Sequence, residues 1–243
     1  MDDHDDLRRR TSPARWALRT IGLLVALVIA LYAACVVAMP FVSGSTTYRE
    51  VIKAPVAETW TYASNSSRAR EWSVFFDHIT PVTGVGKPRD GTVGSVRICY
   101  RNPDERGERW SERTISFTRE RSRHIRTFDL HGFTGGYLVS SGQFDVLQDY
   151  HDEGHGTSSL RFTTTVHRRD GMLGLLAYPV QKAIFSVGPY DDHTRWTFKV
   201  NLENIRAAVE AAHNGARYVE PHRWQRHLWY EKNPFAAPPG GLA

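Results

Sequence analysis

The hydrophobic pattern divides the chain into an apolar N-terminal stretch, a long body of alternating segments and a short tail. Residues 20–48 contain no charged residue, and the 22 residues from Ile21 to Val42 are almost all apolar. A helix of that length spans roughly 33 Å, which is enough for a bilayer core of about 30 Å. The pattern therefore predicts one transmembrane helix over residues 20–43.

Charged residues flank this apolar stretch unevenly. Five arginines precede it within residues 1–19, and Arg49 is the first charge that follows it. Because basic residues favour the cytoplasmic side, we expect a basic cytoplasmic segment at 1–19 and an extracytoplasmic body, periplasmic or on the cell surface. A signal peptide cleaved at Val36-Val37-Ala38 is the alternative, although such peptides have a shorter apolar stretch of about 7–15 residues.

Residues 51–167 consist mostly of alternating segments separated by turn residues, a pattern that predicts strands. In the segment Thr92–Arg101, the alternation places Val96, Ile98 and Tyr100 on one face, which we expect to face the core. Two short helices and a series of strands are predicted in the order Val51–Pro55 (strand), Val56–Ser64 and Ser66–Trp72 (helices), then strands at His78–Val85, Thr92–Arg101, Arg109–Arg119, Ile125–His131, Tyr137–Leu147 and Ser158–His167. Tight turns between consecutive strands favour an antiparallel sheet.

The period changes to that of a helix after residue 190. Apolar residues recur in steps of three and four over 191–213, at Phe198, Leu202, Ile205, Val209 and Ala212. A sheet with one solvated face must cover its other face, and this helix is the only predicted element long enough to do so. We therefore expect an α+β fold with a curved antiparallel sheet wrapped around a long C-terminal helix, preceded by one transmembrane helix.

Short motifs spread over residues 46–213 resemble a known superfamily. They are Ile52-x-Ala54-Pro55-x-x-x-Thr59-Trp60, Glu71-Trp72, Asp90-Gly91-Thr92-Val93-Gly94-Ser95 and Gly156-Thr157-x-x-Leu160-x-Phe162. They are similar to motifs of the polyketide cyclase/dehydrase branch of the START-like (SRPBCC, helix-grip) superfamily. The resemblance implies a deep, mostly apolar cavity between the sheet and the C-terminal helix, which takes lipids, sterols, polyketides or other hydrophobic molecules. The superfamily contains both cyclases and non-catalytic carriers.

Aromatic residues at inward positions are the candidate ligand-binding residues. Any one of them can equally be a core residue, but a curved sheet around one helix is hard to fill with side chains alone. The set is Tyr100, Trp110, Phe128, Phe144, Phe162, Trp196 and Phe198.

Three polar residues are candidates for catalysis: Glu112, Asp129 and His131. A buried carboxylate with a raised pKa can act as a general acid or base. The alternative is that all three are rim or surface residues.

The segment 172–187 is apolar nearly all round, with Lys182 as its one charge and an expected break at Pro179. It is either a helix packed at the mouth of the sheet or a lid or membrane-facing portal. The last segment, 214–243, is basic and aromatic, and it suits either a strap over the domain or a membrane interface.

Composition excludes several classes of protein. The excess of basic over acidic residues is 31 − 26 = 5 and is spread along the chain, so we expect no nucleic-acid partner. Cys35 and Cys99 fall in different media and predict no disulfide. We find no nucleotide-binding or hydrolase motif, and we expect neither a cofactor nor a metal site, because His151 and His155 lie in a predicted hairpin turn.

The sequence thus predicts a membrane-anchored module that binds a hydrophobic small molecule or lipid. A polyketide cyclase/dehydrase-type enzyme acting in the same cavity is the alternative. A third hypothesis is a scaffold that binds nothing, in which aromatic side chains fill the space and leave no pocket of about 300 Å³.

Overall fold

The computed structural model describes residues 13–133, 139–186 and 189–218. In chain order, the elements are α1 (Pro13–Ala38), β1 (Ser45–Ile52), α2 (Val56–Ala63), α3 (Ala69–Trp72), β2 (His78–Pro81), β3 (Val96–Tyr100), β4 (Arg109–Thr118), β5 (Ser122–His131), β6 (Gln143–Gly154), β7 (Thr157–His167), α4 (Met172–Ser186) and α5 (Pro189–His213). A single 3-10 turn, Ser66–Arg68, precedes α3.

The strands form one antiparallel sheet in the order β1-β7-β6-β5-β4-β3-β2. The sheet is curved, and α5 packs along β1 while α2 and α3 pack against α5. Ile52, Leu160, Leu202 and Ile205 are fully buried where α5 meets the sheet. This architecture confirms the predicted α+β fold, in which a curved antiparallel sheet wraps around a C-terminal helix. It is the helix-grip arrangement that the resemblance implied.

Periodicity predicted β7 and α5 correctly. Leu160, Phe162 and Val166 are buried on one face of β7, as the alternation required. Helix α5 begins at Pro189 and ends at His213, two residues before Gly215, whose φ of +66° suits a residue that follows a helix. Both elements cross the main hydrophobic core, where burial determines which face of each element is apolar.

The inward face of β3 was predicted wrongly. Arg97 and Cys99 are buried, whereas Val96, Ile98 and Tyr100 are only half-buried on the opposite face. The register explains the reversal, because Arg97 pairs with Glu112 and Cys99 pairs with Trp110 on β4. Arg97, which the sequence pattern assigned to solvent, is therefore buried in an ion pair with Glu112, one of the candidate cavity residues.

The inward face of β5 changes partway along the strand. Ile125 and Thr127 face inward, but the next buried residue is Leu130. The register with β4 shifts here, and Asp129 has a φ of +52°. This bulge adds one residue to β5, so Phe128 lies on the outer face, where the guanidinium of Arg113 stacks 5.3 Å from its ring centre.

Several boundaries differ from the sequence predictions. Strand β1 begins at Ser45, well before Val51, because its whole length pairs with β7. Strand β6 covers Gln143–Gly154, and part of the expected strand lies outside the described residues. Helix α4 continues through Pro179, which is buried with Gln181, so packing of this half outweighs the hydrogen bond that proline cannot donate.

Helix α1 is the one helix in the described part of the chain that is long and apolar enough to cross a membrane, over Arg15–Ala38. It ends at Ala38 rather than residue 43, because Pro40 disfavours helical backbone at the residue before it. Near this end α1 contacts α4, and the Nζ of Lys182 donates a hydrogen bond to the carbonyl of Met39 (2.9 Å). Most of the two predicted terminal segments, 1–19 and 214–243, lies outside the described residues.

Candidate ligand cavity

A cavity of about 400 Å³ lies between the concave face of the sheet and α5. Strands β3 to β7 form its floor, α5 its roof, and α3 and the end of α4 its sides. Most of its lining is apolar and includes Ala69, Trp72, Phe75, Phe76, Ile79, Trp110, Ile125, Leu130, Phe133, Val139, Phe144, Val146, Phe162, Val166, Phe185 and Phe198.

Aromatic rings form one wall of the cavity. The ring of Trp110 lies 4.9 Å from that of Phe75, 5.7 Å from that of Phe76 and 6.1 Å from that of Phe133, centre to centre. At the α4 end, Phe144 and Phe185 meet edge to face at 4.7 Å. Because these rings pack against one another, they hold the wall in place without filling the space that they surround.

Four of the seven candidate ligand-binding residues line the cavity: Trp110, Phe144, Phe162 and Phe198. Tyr100 lies on the outer face of β3, where its ring stacks on that of His78 at 5.1 Å. Phe128 lies on the outer face of β5, as described above. Trp196 packs with Val74 and Val200 in a separate apolar cluster.

Five aromatic residues of the lining were not among the candidates: Trp72, Phe75, Phe76, Phe133 and Phe185. Phe75 and Phe76 follow α3, outside any regular element, so they had no periodicity to reveal their direction. Phe133 similarly follows the end of β5. Phe185 lies in the apolar segment that we singled out, but off its helical stripe.

One end of the cavity is polar and charged. The Nε of Arg97 donates to Oε2 of Glu112 at 2.9 Å, and the Nη2 lies 2.8 Å from the same oxygen in an ion pair. The Nη1 of Arg97 donates to the hydroxyl of Ser66 at 2.7 Å. The indole N–H of Trp110 donates to the other carboxylate oxygen, Oε1, at 3.1 Å. Arg97 and Glu112 are 7% and 12% exposed, so this is a buried, fully bonded ion pair.

The pair determines the charge of Glu112. Burial alone would raise the pKa of its carboxyl, but the charge of Arg97 and the hydrogen bonds from Trp110 and Arg97 outweigh burial and lower that pKa. Glu112 is therefore a carboxylate at neutral pH. The other two catalytic candidates, Asp129 and His131, are exposed on β5 and are not part of the cavity lining.

Arg123 of β5 reaches the same end of the cavity and is 3% exposed. Its Nη1 donates to the backbone carbonyl of Ser64 at 3.2 Å. Its Nη2 is buried and has no hydrogen-bond partner among the described residues. Burial, and next the charge of Arg97, lower the pKa of Arg123 to about 10, so the guanidinium is still protonated at neutral pH.

Metal ligands do not assemble in the described part of the chain, where no group of three or more His, Cys, Asp or Glu side chains could hold an ion. Of the two histidines expected in a hairpin turn, His155 lies in the turn between β6 and β7, whereas His151 lies in β6. Glu153, at the end of β6, accepts hydrogen bonds from Arg49 and from Ser159.

No protein-family model matches the sequence, and no curated protein matches it either. A search of solved structures finds remote likenesses at low sequence identity. A protein from Nitrosospira multiformis is 12% identical over 70% of this chain and 99% of its own, with a TM-score of 0.49. XoxI from Bacillus cereus is 13% identical over 70% and 97%, with a TM-score of 0.45. The di-domain ARO/CYC StfQ from the steffimycin biosynthetic pathway is 10% identical over 70% and 46%, with a TM-score of 0.44. Likenesses this remote identify neither a family nor a ligand for this chain.

Proposed function

We propose that this chain is a membrane-anchored binding module for a hydrophobic small molecule or lipid, held between the sheet and α5. The observation that carries the proposal is the apolar cavity of about 400 Å³, which lies in the range of about 300–1,000 Å³ typical of ligand sites. Its volume argues against the scaffold hypothesis, in which side chains would fill this space. Burial of each ligand methylene there contributes about 0.8 kcal/mol.

The placement of α4 supports a route between the bilayer and the cavity. Leu173, Leu175 and Leu176 are half to two-thirds exposed on α4, whereas Phe185 at its other end lines the cavity. Helix α4 contacts α1, the helix that would cross the membrane, and Lys182 of α4 bonds to the carbonyl of Met39 just after the end of α1. In this proposal α4 is the portal through which a hydrophobic ligand leaves the bilayer, and α1 is the anchor.

The cyclase alternative has less support. A general acid or base works best with a pKa near the operating pH, but Arg97 holds the pKa of Glu112 below its usual value. Both oxygens of this carboxylate already accept hydrogen bonds, from Arg97 and Trp110. Glu112 therefore suits a structural role in the cavity wall better than proton transfer.

A neutral photoreactive lipid tests the proposal. The full chain in lipid nanodiscs would be illuminated with a diazirine-bearing hexadecanol, and labelled residues would be located by mass spectrometry. We expect labelling of cavity residues, and we expect Thr164→Phe, which places a ring in the cavity, to reduce it severalfold. Thr165→Phe is the matched control, because Thr165 is the exposed neighbour on β7. Labelling that avoids the cavity, or that Thr164→Phe leaves unchanged, would contradict the proposal.

A further inference from the structure

The polar end of the cavity contains more positive charge than the described carboxylates there neutralise. Arg97 and Glu112 form one complete pair, and both oxygens of Glu112 are occupied. Arg123 lines the same end, and its Nη2 is buried without a partner among the described residues. Arg123, a residue of the cavity lining, therefore keeps a guanidinium N–H that can still donate a hydrogen bond.

The described neighbours of Arg123 do not supply a hydrogen-bond acceptor for its Nη2. Asp90 influences both guanidiniums, but more weakly than Glu112 does, and its Oδ1 has no hydrogen-bond partner in the described part of the chain. Directly across the strand pair, Arg123 faces Gln148, an amide without charge. The Oε1 of Gln148 accepts a hydrogen bond from the hydroxyl of Tyr150 at 3.3 Å.

A buried charge without a partner is unfavourable, and an anion that reaches it relieves that cost. Guanidinium groups bind carboxylate and phosphate oxygens through short, charge-assisted hydrogen bonds. The rest of the lining is mainly hydrocarbon and aromatic. A ligand that suits both the guanidinium and the apolar remainder of the cavity has one acidic head and one apolar chain.

We propose that the cavity selects amphiphiles with an acidic head group, whose carboxylate or phosphate accepts a hydrogen bond from Nη2 of Arg123 while the chain lies along the Trp110–Phe133 wall. This inference rests on the proposed binding function and specifies its ligand class. Arg97 contributes positive potential at the same end, and Glu112 holds it in place.

The test compares three competitors with the same hydrocarbon chain: palmitate, hexadecyl phosphate and hexadecanol. Each would displace the diazirine-bearing hexadecanol from the full chain in nanodiscs. The preference for acid over alcohol is measured in the native chain and divided by the preference in Arg123→Gln. Partitioning into the nanodisc is the same for both proteins, so it cancels in this ratio.

We expect a ratio of about ten to one hundred for one or both acids, the range that a hydrogen bond to a charged group contributes. The palmitate and hexadecyl phosphate arms separate a carboxylate site from a phosphate site. The matched control is Arg126→Gln, because Arg126 lies on the outer face of the same strand, paired with Asp145. It should leave the preference unchanged.

A second variant keeps the test decisive if Arg123→Gln does not fold. Gln148→Glu keeps the shape of the side chain and places a carboxylate opposite Arg123. It should abolish the preference for acids while hexadecanol still binds. Equal binding of acid and alcohol by the native chain, or a preference that survives Gln148→Glu, overturns this inference but not the binding function. Failure of all three competitors to displace the probe overturns both.

Discussion

The ion pair between Arg97 and Glu112 makes a sharp prediction about stability. Glu112→Gln keeps the volume of the side chain but removes the charge that pairs with Arg97 and accepts a hydrogen bond from its Nε. The guanidinium of Arg97 then remains buried, 7% exposed, without its anion. It also lies at the same end of the cavity as Arg123, so it remains close to a second positive charge with one carboxylate fewer to offset the two.

The size of the effect follows from the burial of the pair. Loss of one partner of a buried ion pair costs about 3–5 kcal/mol, whereas an exposed pair contributes about 0–1 kcal/mol. Both partners here are almost completely buried, so solvent screens little of the loss. At about 2–4 °C per kcal/mol for a domain of this size, Tm should fall by roughly 6–20 °C.

Thermal unfolding of the full chain in detergent micelles, followed by near-ultraviolet circular dichroism, measures this change. The matched control is Asp149→Asn, which breaks the more exposed pair with Arg161, at 2.8 Å, and should lower Tm by less than about 4 °C. The double variant Arg97→Met/Glu112→Leu should recover most of the loss, because it leaves no unpaired charge from the pair. If Glu112→Gln has no larger effect than Asp149→Asn, then the pair is not the buried unit described here.

Three further predictions follow from the cavity and its surroundings. In a series of primary alcohols measured by probe displacement, affinity referred to the aqueous ligand concentration should increase about fourfold per methylene until the cavity is full; a flat series would contradict apolar burial. Replacing exposed Leu173 and Leu175 of α4 together by Asp should slow the labelling of the cavity after probe addition but leave the final extent unchanged, whereas Val85→Asp on an exposed loop should do neither. Burial would raise the pKa of Asp145, but hydrogen bonds and charge from Arg126 and nearby histidines outweigh it and lower that pKa. The stability that the Asp145 carboxylate contributes is therefore present above about pH 5 and is lost as the pH falls below about 4. In urea titrations, the difference in stability between the native chain and Asp145→Asn should shrink over that interval.

The elements that the sequence predicted well bury one apolar face each. The alternation through Leu160 and Phe162, and the helical stripe through Leu202 and Ile205, both placed residues that the structure buries completely or nearly so. In these elements the hydrophobic effect alone decides which face turns inward, so composition and period suffice. The helix-grip architecture followed from them.

The charged end of the cavity could not be predicted from local patterns, because the residues that pair there lie far apart in the sequence. Arg97 is buried because Glu112, on the next strand, neutralises it, and neither residue differs in the sequence from an ordinary surface charge. The bulge at Asp129 similarly reverses the face of Phe128 through one extra residue that no period reveals. The sequence pattern therefore identified four aromatic residues of the lining and offered Glu112 as a cavity residue, but it missed Arg97 and Arg123, which give the cavity its positive charge.

The two buried arginines should respond to mutation in opposite ways. Arg97 has a complete set of partners, so removal of Glu112 destabilises the chain. The Nη2 of Arg123 has no hydrogen-bond partner among the residues that the structure describes. Arg123→Gln therefore removes an uncompensated charge and should leave Tm unchanged or higher in protein without added ligand. Gln148→Glu should also raise Tm, because it supplies the missing anion across the strand pair. A carboxylate at residue 148 would relieve this cost within the chain itself, yet an amide occupies the position, which is the arrangement expected when the ligand brings the negative charge.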